Sequence, residues 1–244
     1  MWELIINADD FGAMEKVNMA IDSHLTAGLI SSATIIANGK FVREAVELSK
    51  KHKQASFGVH LNLSEGKPTS THPDLAPILT PEGNFKQDFR GVPLTKALKK
   101  AIVQEWLAQI SFLRGLGVQI SHADSHHHVH TRPNLLWVVR KVAKESGIKT
   151  WRRSRTMYSP DEEVRIKTFL KKQYNVMLGS GYANTVGTEH FADTKAMLYY
   201  VNDGHPTTVE VMCHPGLSSS APEDEELRKL VTHPKVILKN YRQL

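Results

Sequence analysis

The stretch WELIINADDFG, Trp2 to Gly12, begins with an apolar run and ends in polar residues. Its first part, Trp2 to Ile6, is short and rich in residues that favour strands, and Asp9 and Asp10 follow soon after it. A short apolar run bounded by turn-forming residues is typical of a buried strand. We therefore predict a buried strand that delivers two adjacent carboxylates at its C-terminal end.

The rest of the chain alternates between helix-like and strand-like segments. From Met14 to Ala27 apolar residues recur at helical spacing, and Gly28 follows as a C-cap. Further strands are predicted at 31–37, 55–63, 118–123, 207–212 and 236–238, and further helices at 41–52, 94–116, 133–145, 161–172, 193–201 and 223–231, with 179–188 unassigned and 218–222 a loop. Such alternation predicts right-handed βαβ units and a parallel sheet, open or closed into a barrel.

Length and composition fit one large domain that spans residues 1–244. The single cysteine, Cys213, excludes an intramolecular disulfide. The residues after Met1 lack the basic start and long apolar run of a signal peptide, and no apolar stretch is long enough for a membrane span. We therefore expect a soluble, cytoplasmic protein that does not bind membranes.

The charge pattern does not predict nucleic-acid binding. The formal net charge is +6, from 31 Lys and Arg against 25 Asp and Glu. Most basic residues form short groups within helix-like segments, as on a solvated helix face, and only Arg152, Arg153 and Arg155 are densely clustered. Since no basic stripe is interleaved with aromatic residues, we expect no nucleic-acid partner.

A long segment from Ser64 to Pro93 is rich in Pro, Gly, Thr and Asp and lacks sustained periodicity. Unpatterned loops of this length in compact domains are usually lids or binding loops. We predict that this loop covers the functional pocket and takes part in substrate selection.

The stretch HADSHHHVH, His122 to His130, holds five histidines and Asp124. Neutral imidazole is a common ligand of divalent metals, and a nearby carboxylate can bind the ion or orient the imidazole. If the stretch continues a strand, alternate histidines point to opposite faces, so that only some of them share one ion. The cluster as a whole favours a metal site, whereas any one histidine taken alone is better explained as a packing or hydrogen-bonding residue on a loop.

Polar residues of this kind recur at the C-terminal ends of predicted strands. Asp9 and Asp10, His60, the histidine cluster and His214 each end or follow such a strand. Parallel α/β folds place active sites at this edge, so these residues are expected to share one pocket. Two histidines and one carboxylate are typical of a catalytic hydrolytic metal, and a second carboxylate is a natural general base. His214 is the candidate acid for the leaving group, or else a structural histidine at a strand end.

Four motifs in this order resemble the YdjC-like family, whose best-known members are ChbG-type chitooligosaccharide deacetylases: INADDFG (6–12), GVHLNL (58–63), HADSHHHVH (122–130) and EVMCHPG (210–216). The resemblance implies an irregular (β/α) barrel related to the NodB-type polysaccharide deacetylases, with the active site at the C-terminal strand ends. It also implies an enzyme that uses a divalent metal to remove acetyl groups from N-acetylglucosamine units. The expected partner is a small acetylated oligosaccharide. Little chain follows Pro222, and closure of the barrel at the C-terminus is left open.

The same resemblance implies a set of metal ligands, which are Asp10, His60 and His126. One divalent ion is expected, and Mg and Zn are the first candidates. Mn and Co stay open because carboxylate and imidazole ligands do not choose among these metals.

The resemblance further implies that Asp9 is the general base and that His214 lies near the leaving group as the acid. His128 is expected as a pocket residue that binds substrate, and Asn62 is a second candidate for substrate binding.

Two other functions stay open at the level of sequence. The first is a metal-dependent phosphoesterase on a similar barrel, which the positive charge favours. Such enzymes usually carry an HxH pair on the first strand, where this chain has Asp9 and Asp10. The second is a non-catalytic protein that binds a metal or a sugar. The sugar, its chain length and the oligomeric state, including a homodimer, are not decided by the sequence.

Overall fold

The computed structural model describes residues 1–159, 162, 165–181, 184–203, 205–217 and 221–244. Its strands are β1 (Trp2–Phe11), β2 (Ser32–Ile35), β3 (Ser56–Leu61), β4 (Ile120–Ser125), β5 (His190–Asp193), β6 (Thr208–Cys213) and β7 (Val236–Leu238). Its helices are α1 (Glu15–Thr26), α2 (Val42–Ser49), α3 (Lys96–Gly115), α4 (Leu136–Ser146), α5 (Arg165–Gly179), α6 (Thr194–Asp203) and α7 (Ala221–Val231). Short 3₁₀ helices lie at Pro73–Ile78, His126–Thr131, Pro133–Leu135 and Tyr241–Gln243. Within these described ranges, no helix is long and apolar enough to cross a membrane.

The described strands form one parallel sheet in the order β4-β3-β2-β1-β6-β5, with β7 paired to the start of β1. The first residues of β1 pair with β7 and its last residues pair with β2, while β6 runs along its other edge. A strand that is buried on both faces is apolar on both, which accounts for the buried run Leu4, Ile5 and Ile6. The predicted parallel α/β fold is confirmed.

The sheet curls, because one segment forms backbone hydrogen bonds to both of its edge strands. In β4, the N–H of Ala123 donates to Thr150 at 3.0 Å, and its carbonyl accepts from Arg152 at 3.0 Å. In β5, the carbonyl of Phe191 accepts from Thr156 at 3.2 Å and from Met157 at 3.3 Å. The segment 150–157 therefore connects the two ends of the sheet and gives it the shape of an irregular barrel.

The helices pack their apolar stripes against this sheet as their periodicity predicts. In α3, Leu98, Ile102 and Trp106 are buried, and the Thr95 side chain caps the first turn by accepting from the N–H of Leu98 at 3.1 Å. The 23-residue pattern predicted at 94–116 thus corresponds to α3, which begins at Lys96 because Thr95 is its N-cap.

Three elements depart furthest from the predictions. β1 continues past Ile6 to Phe11, because Asn7 and Ala8 are paired with both β2 and β6 and Phe11 is paired with β2. β5 lies where no strand is predicted, since its four residues HFAD carry no alternating pattern. The helix predicted at 161–172 corresponds to α5, which runs on to Gly179; residues 161, 163 and 164 lie outside the described residues.

The two loops predicted at 218–222 and 64–93 are partly replaced by secondary structure in the described residues. Residues 218–220 of the predicted loop at 218–222 lie outside the described residues, and α7 already begins at Ala221. The long loop after β3 contains the 3₁₀ helix Pro73–Ile78 and an antiparallel bridge between Leu79 and Phe85. It is anchored by four buried apolar side chains, which are Leu75, Ile78, Phe85 and Phe89.

Candidate active site

The residues predicted at the strand ends lie together in the structure. Asp9 and Asp10 are near the end of β1, His60 is near the end of β3, and His126 directly follows β4. All four are buried. The curled sheet therefore gathers two carboxylates and two imidazoles at its carboxyl edge.

The Asp10 carboxylate contacts both histidines. Its Oδ1 lies 2.8 Å from Nδ1 of His126 and 3.3 Å from Nε2 of His60. The three side chains offer ligand atoms that all lie within 4.8 Å of one another. Oδ1 of Asp10 is buried and has no well-aligned hydrogen bond among the described residues. This oxygen faces the two histidines and is free to bind a cation.

A break in β1 explains how two adjacent aspartates reach one pocket. Neighbouring residues of a strand normally point to opposite faces. Here the register between β1 and β2 shifts between Ala8 and Phe11, and Asp10 has a φ of 67°. Positive φ is uncommon for residues other than glycine, and such bulges re-aim side chains beside active sites. The bulge therefore turns Asp10 toward His60 and His126.

His60 is held on its other nitrogen by Asp124. The Oδ1 of Asp124 lies 2.7 Å from Nδ1 of His60, and the Thr34 hydroxyl donates to Oδ2 of Asp124 at 3.1 Å. Burial disfavours the charged imidazole, but the charges of Asp124 and Asp9 outweigh burial and raise the pKa of His60 well above its ordinary value. A carboxylate on the outer nitrogen of a ligand histidine fixes the tautomer and orientation of the ring.

Asp9 is bound by the guanidinium of Arg152. Nη1 donates to Oδ2 at 2.7 Å and Nη2 donates to Oδ1 at 2.6 Å, while Nδ2 of Asn7 donates to Oδ1 at 2.9 Å. Burial disfavours the carboxylate, but the adjacent guanidinium outweighs burial and holds the pKa of Asp9 well below its ordinary value. Asp9 is therefore an anion at neutral pH and is fixed in one orientation.

Arg152 belongs to the site, although its sequence surroundings predict only a basic cluster. Its side chain is fully buried and also contacts Asp124 at 2.9 Å and Glu210 at 2.6 Å. A signal exists in the sequence: Arg152 follows the apolar Trp151, and Glu210 interrupts the apolar run of β6. Charges in such apolar surroundings require partners, so the two could have been paired with each other.

The histidine cluster does not continue β4, so the predicted alternation of its side chains is wrong. The strand ends at Ser125, whose hydroxyl accepts from the N–H of His130 at 2.9 Å. His127 and His128 both have a φ of 52°, which folds the chain into a tight turn. His126, the first member of this turn, is the one that contacts Asp10.

His122 and His130 serve as packing residues inside the barrel. The His122 ring stacks on Tyr241 with ring centres 3.6 Å apart, and a Cβ at Gly58 would lie 2.6 Å from it. His130 lies 3.2 Å from the carbonyl oxygen of Arg152. Burial lowers the pKa of both histidines, so they are neutral.

His128 and His214 border the carboxylate cluster. The half-buried His128 ring packs against Phe191, and its buried Nδ1 has no hydrogen-bond partner among the described residues. Burial, assisted by the charge of Arg152, lowers the pKa of His128 to about 3. His214 is partly exposed after β6, and its backbone N–H donates to Glu223 at 2.7 Å. Cys213, the residue before His214, pairs in the sheet with Ala8, the residue before Asp9.

Asn62 holds the start of the long loop. Its Oδ1 accepts from the N–H groups of Ser64 at 2.9 Å and Glu65 at 3.1 Å, and its Nδ2 donates to the Glu65 carbonyl at 2.8 Å. Its Nδ2 also donates to Asn38 at 3.0 Å. Because these bonds occupy the amide, the structure gives Asn62 a role in loop conformation, and its role in substrate binding stays a prediction.

Fold and site together define a parallel α/β protein that carries a buried cluster of carboxylates and imidazoles at the carboxyl ends of its strands. Comparison with known sequences narrows this class. The chain belongs to the YdjC-like family, whose profile, described as YdjC-like protein, matches residues 3–240. The family resemblance noted from the four motifs is therefore confirmed.

Individual relatives match over most of their length. A protein named carbohydrate deacetylase from Halalkalibacterium halodurans is 30% identical, over 99% of this chain and 94% of its own. Another of that name from Geobacillus stearothermophilus is 32% identical, over 86% of this chain and 78% of its own. A crystal structure from Enterococcus faecalis, suggested to be a cellobiose-phosphate cleavage protein, has a TM-score of 0.79 at 23% identity and covers 99% of this chain and 98% of its own. The last similarity establishes the shared fold.

Proposed function

We propose that this protein is a metal-dependent carbohydrate deacetylase that removes acetyl groups from N-acetylated sugars such as chitooligosaccharides. The observation that carries the proposal is the meeting of Asp10, His60 and His126, which belong to three separate strand ends. The relatives named carbohydrate deacetylase support the reaction class.

The three side chains fit a divalent ion. Ligand atoms that lie ~2.1 Å from an ion are about 3.0 Å apart in octahedral coordination and about 3.4 Å apart in tetrahedral coordination. The separations of 2.8 and 3.3 Å from Oδ1 of Asp10 are close to these values. Two imidazoles and one carboxylate leave coordination positions open, as in catalytic sites, and suit Mg or Zn, with Mn and Co also compatible. When bound, such an ion lowers the pKa of a water molecule and polarises a carbonyl group.

Asp9 is suited to accept a proton from an attacking water molecule. An ionised carboxylate offers about four acceptor positions. Arg152 and Asn7 occupy three of them, so one remains for water. The low pKa of Asp9 makes it a weak base, and its role therefore depends on a water molecule that is already acidified.

His214 is suited to protonate the leaving amine, because it is partly exposed and directly follows Cys213, whose partner in β1 is Ala8, the residue before Asp9. His128 contributes a neutral ring with a free buried nitrogen, which can hydrogen-bond a sugar hydroxyl or the acetamido group. The loop 64–93 then limits which sugars enter.

Acetate release tests the proposal directly. The protein is stripped with a chelator, reconstituted separately with Zn²⁺, Mg²⁺, Mn²⁺ or Co²⁺, and assayed on diacetylchitobiose and on other N-acetylated sugars. We expect acetate release that requires the ion and is lost in His60→Ala. Equal rates with and without metal contradict the proposal. Hydrolysis of organic phosphates without acetate release identifies a phosphoesterase instead, and ion binding without either reaction identifies a binding protein.

A further inference from the structure

The carboxylate of Glu65, in the long loop after β3, faces the outer nitrogen of His126. Its Oε1 lies 3.5 Å from Nε2 of His126, while Nδ1 of the same ring lies 2.8 Å from Asp10. Nε2 of His126 is buried and forms no hydrogen bond with any described residue. The ring therefore lies between two carboxylates, and its outer nitrogen is a donor without a partner at hydrogen-bonding distance.

His60 shows the same arrangement in completed form. Its Nε2 faces Asp10, and its Nδ1 lies 2.7 Å from Asp124. Each of the two histidines thus has a carboxylate on the nitrogen that points away from Asp10. The two carboxylates differ in their surroundings, because Asp124 is fully buried in β4, whereas the Glu65 side chain is 57% exposed on a loop.

The backbone of Glu65 is nevertheless held in place. Asn62 bonds both its N–H and its carbonyl, and Asn38 donates to the same carbonyl at 3.1 Å. The neighbouring Ser64 hydroxyl lies 2.9 Å from Nδ1 of His127, so that the loop touches the histidine turn a second time. Only rotation about the side-chain bonds of Glu65 is needed to close the gap to His126.

We propose that Glu65 is a positioning residue that fixes the metal-binding tautomer of His126 and thereby couples the long loop to ion binding. This inference rests on the metal site proposed above. A neutral imidazole carries one proton, so binding of an ion at Nδ1 requires the proton on Nε2. A carboxylate that accepts this proton stabilises that tautomer and makes the ligand nitrogen more basic.

The separation of 3.5 Å is longer than a well-formed N–H···O hydrogen bond. The contact therefore has room to tighten when Nδ1 binds an ion. By linkage, whatever factor Glu65 adds to ion affinity, the ion adds to docking of the loop on His126.

Zinc affinity is the first readout. Chelator-stripped wild type, Glu65→Ala and Glu65→Gln are titrated with Zn²⁺ in a calorimeter. Glu82→Ala serves as the matched control, since Glu82 is an exposed glutamate of the same loop. We expect Kd to rise about 10- to 100-fold in Glu65→Ala, which is the usual effect of removing such a partner, and to rise less in Glu65→Gln, whose carbonyl oxygen can still accept a hydrogen bond from the N–H at Nε2. Glu82→Ala should bind as wild type does.

Hydrogen exchange of the loop with and without Zn²⁺ is the second readout. A merely structural role of Glu65 would not make the effect of Zn²⁺ on exchange depend on this residue. Zn²⁺ should slow exchange of backbone amides at 64–72 in wild type and in Glu82→Ala, but not in Glu65→Ala at zinc concentrations that saturate the site. Circular dichroism confirms that each variant is folded.

Two outcomes overturn the inference. If Glu65→Ala binds Zn²⁺ within twofold of wild type while His60→Ala loses binding, the metal site stands and Glu65 has no positioning role. If wild type binds two zinc ions and Glu65→Ala loses one, Glu65 is a ligand of a second ion. Equal affinity in wild type and His60→Ala instead refutes the underlying metal site itself.

Discussion

Arg152 holds Asp9 through both arms of its guanidinium, with Nη2 2.6 Å from Oδ1 and Nη1 2.7 Å from Oδ2. The same buried side chain contacts Asp124 and Glu210, so one cation pairs with carboxyl groups from β1, β4 and β6. Bidentate pairing fixes direction as well as charge. The active-site carboxylates are therefore oriented from inside the barrel, by a residue of the segment 150–157 that connects the two edge strands.

Replacement of Arg152 by Met should strongly destabilise the protein. The variant leaves buried carboxylates without a counter-charge, a change that typically costs about 3–5 kcal/mol. Urea unfolding of the chelator-treated protein measures the loss. Arg90→Met is the control, because Arg90 pairs with Asp88 on an exposed loop and its loss should have little effect. A loss below about 1 kcal/mol in Arg152→Met would show that this network contributes little to folding.

The two adjacent aspartates should separate ion binding from turnover. Asp10→Asn should lose the ion and the activity together, because Asp10 contacts both histidines. Asp9→Asn should keep the ion and lower kcat by a factor of ~10² to 10⁴, the usual contribution of a general base. Metal analysis of the purified variants and acetate release measure the two effects. Loss of metal from Asp9→Asn would mean that Asp9 belongs to the ligand set.

His214→Ala should impair amide hydrolysis more than ester hydrolysis. An amine must be protonated to leave, whereas 4-nitrophenolate leaves unaided, so the loss on N-acetyl sugars should exceed the loss on 4-nitrophenyl acetate. Asp9→Asn is the comparison, because attack by water is common to both substrates and both rates should fall. Equal losses on the two substrates in His214→Ala would assign to His214 a role other than proton donation.

Glu210 should make the stability of the metal-free protein depend on pH. Burial, only partly offset by Arg152, raises the pKa of Glu210 to about 7 from an ordinary value of 4.5. A carboxyl with a raised pKa favours the folded state while protonated, and this stabilisation is lost as pH rises from about 4.5 through about 7. Wild type should therefore lose on the order of 3 kcal/mol across this range from this group.

The neutral variant Glu210→Gln isolates that effect. Its unfolding free energy should change less between pH 5 and pH 8 than that of wild type, as measured by urea unfolding at each pH. Parallel pH profiles for the two proteins would show that Glu210 stays ionised beside Arg152 throughout the range.

Much of the fold was accessible from local patterns. The stripe of α3 and the apolar run at Leu4 to Ile6 report burial directly, because periodicity is set by consecutive residues. The bounds of β1 were not accessible, since three of its last five residues are polar and the strand continues there through pairing with β2 and β6. The turn at His126 was missed for a similar reason: Ser125 closes it through a bond to His130, which no periodicity encodes.

The sequence by itself determined which chemical groups stand near the carboxyl ends of the strands, among them Asp9, Asp10 and His60, because the apolar runs that mark the strands are local features. The tertiary structure alone decided which groups touch. Arg152 reaches Asp9 across 143 positions of the chain, and Glu65 reaches His126 from a loop without periodicity. Such contacts depend on strand order, on the curl of the sheet and on the bulge that turns Asp10. These properties arise from packing between distant segments, and no stretch of consecutive residues contains them.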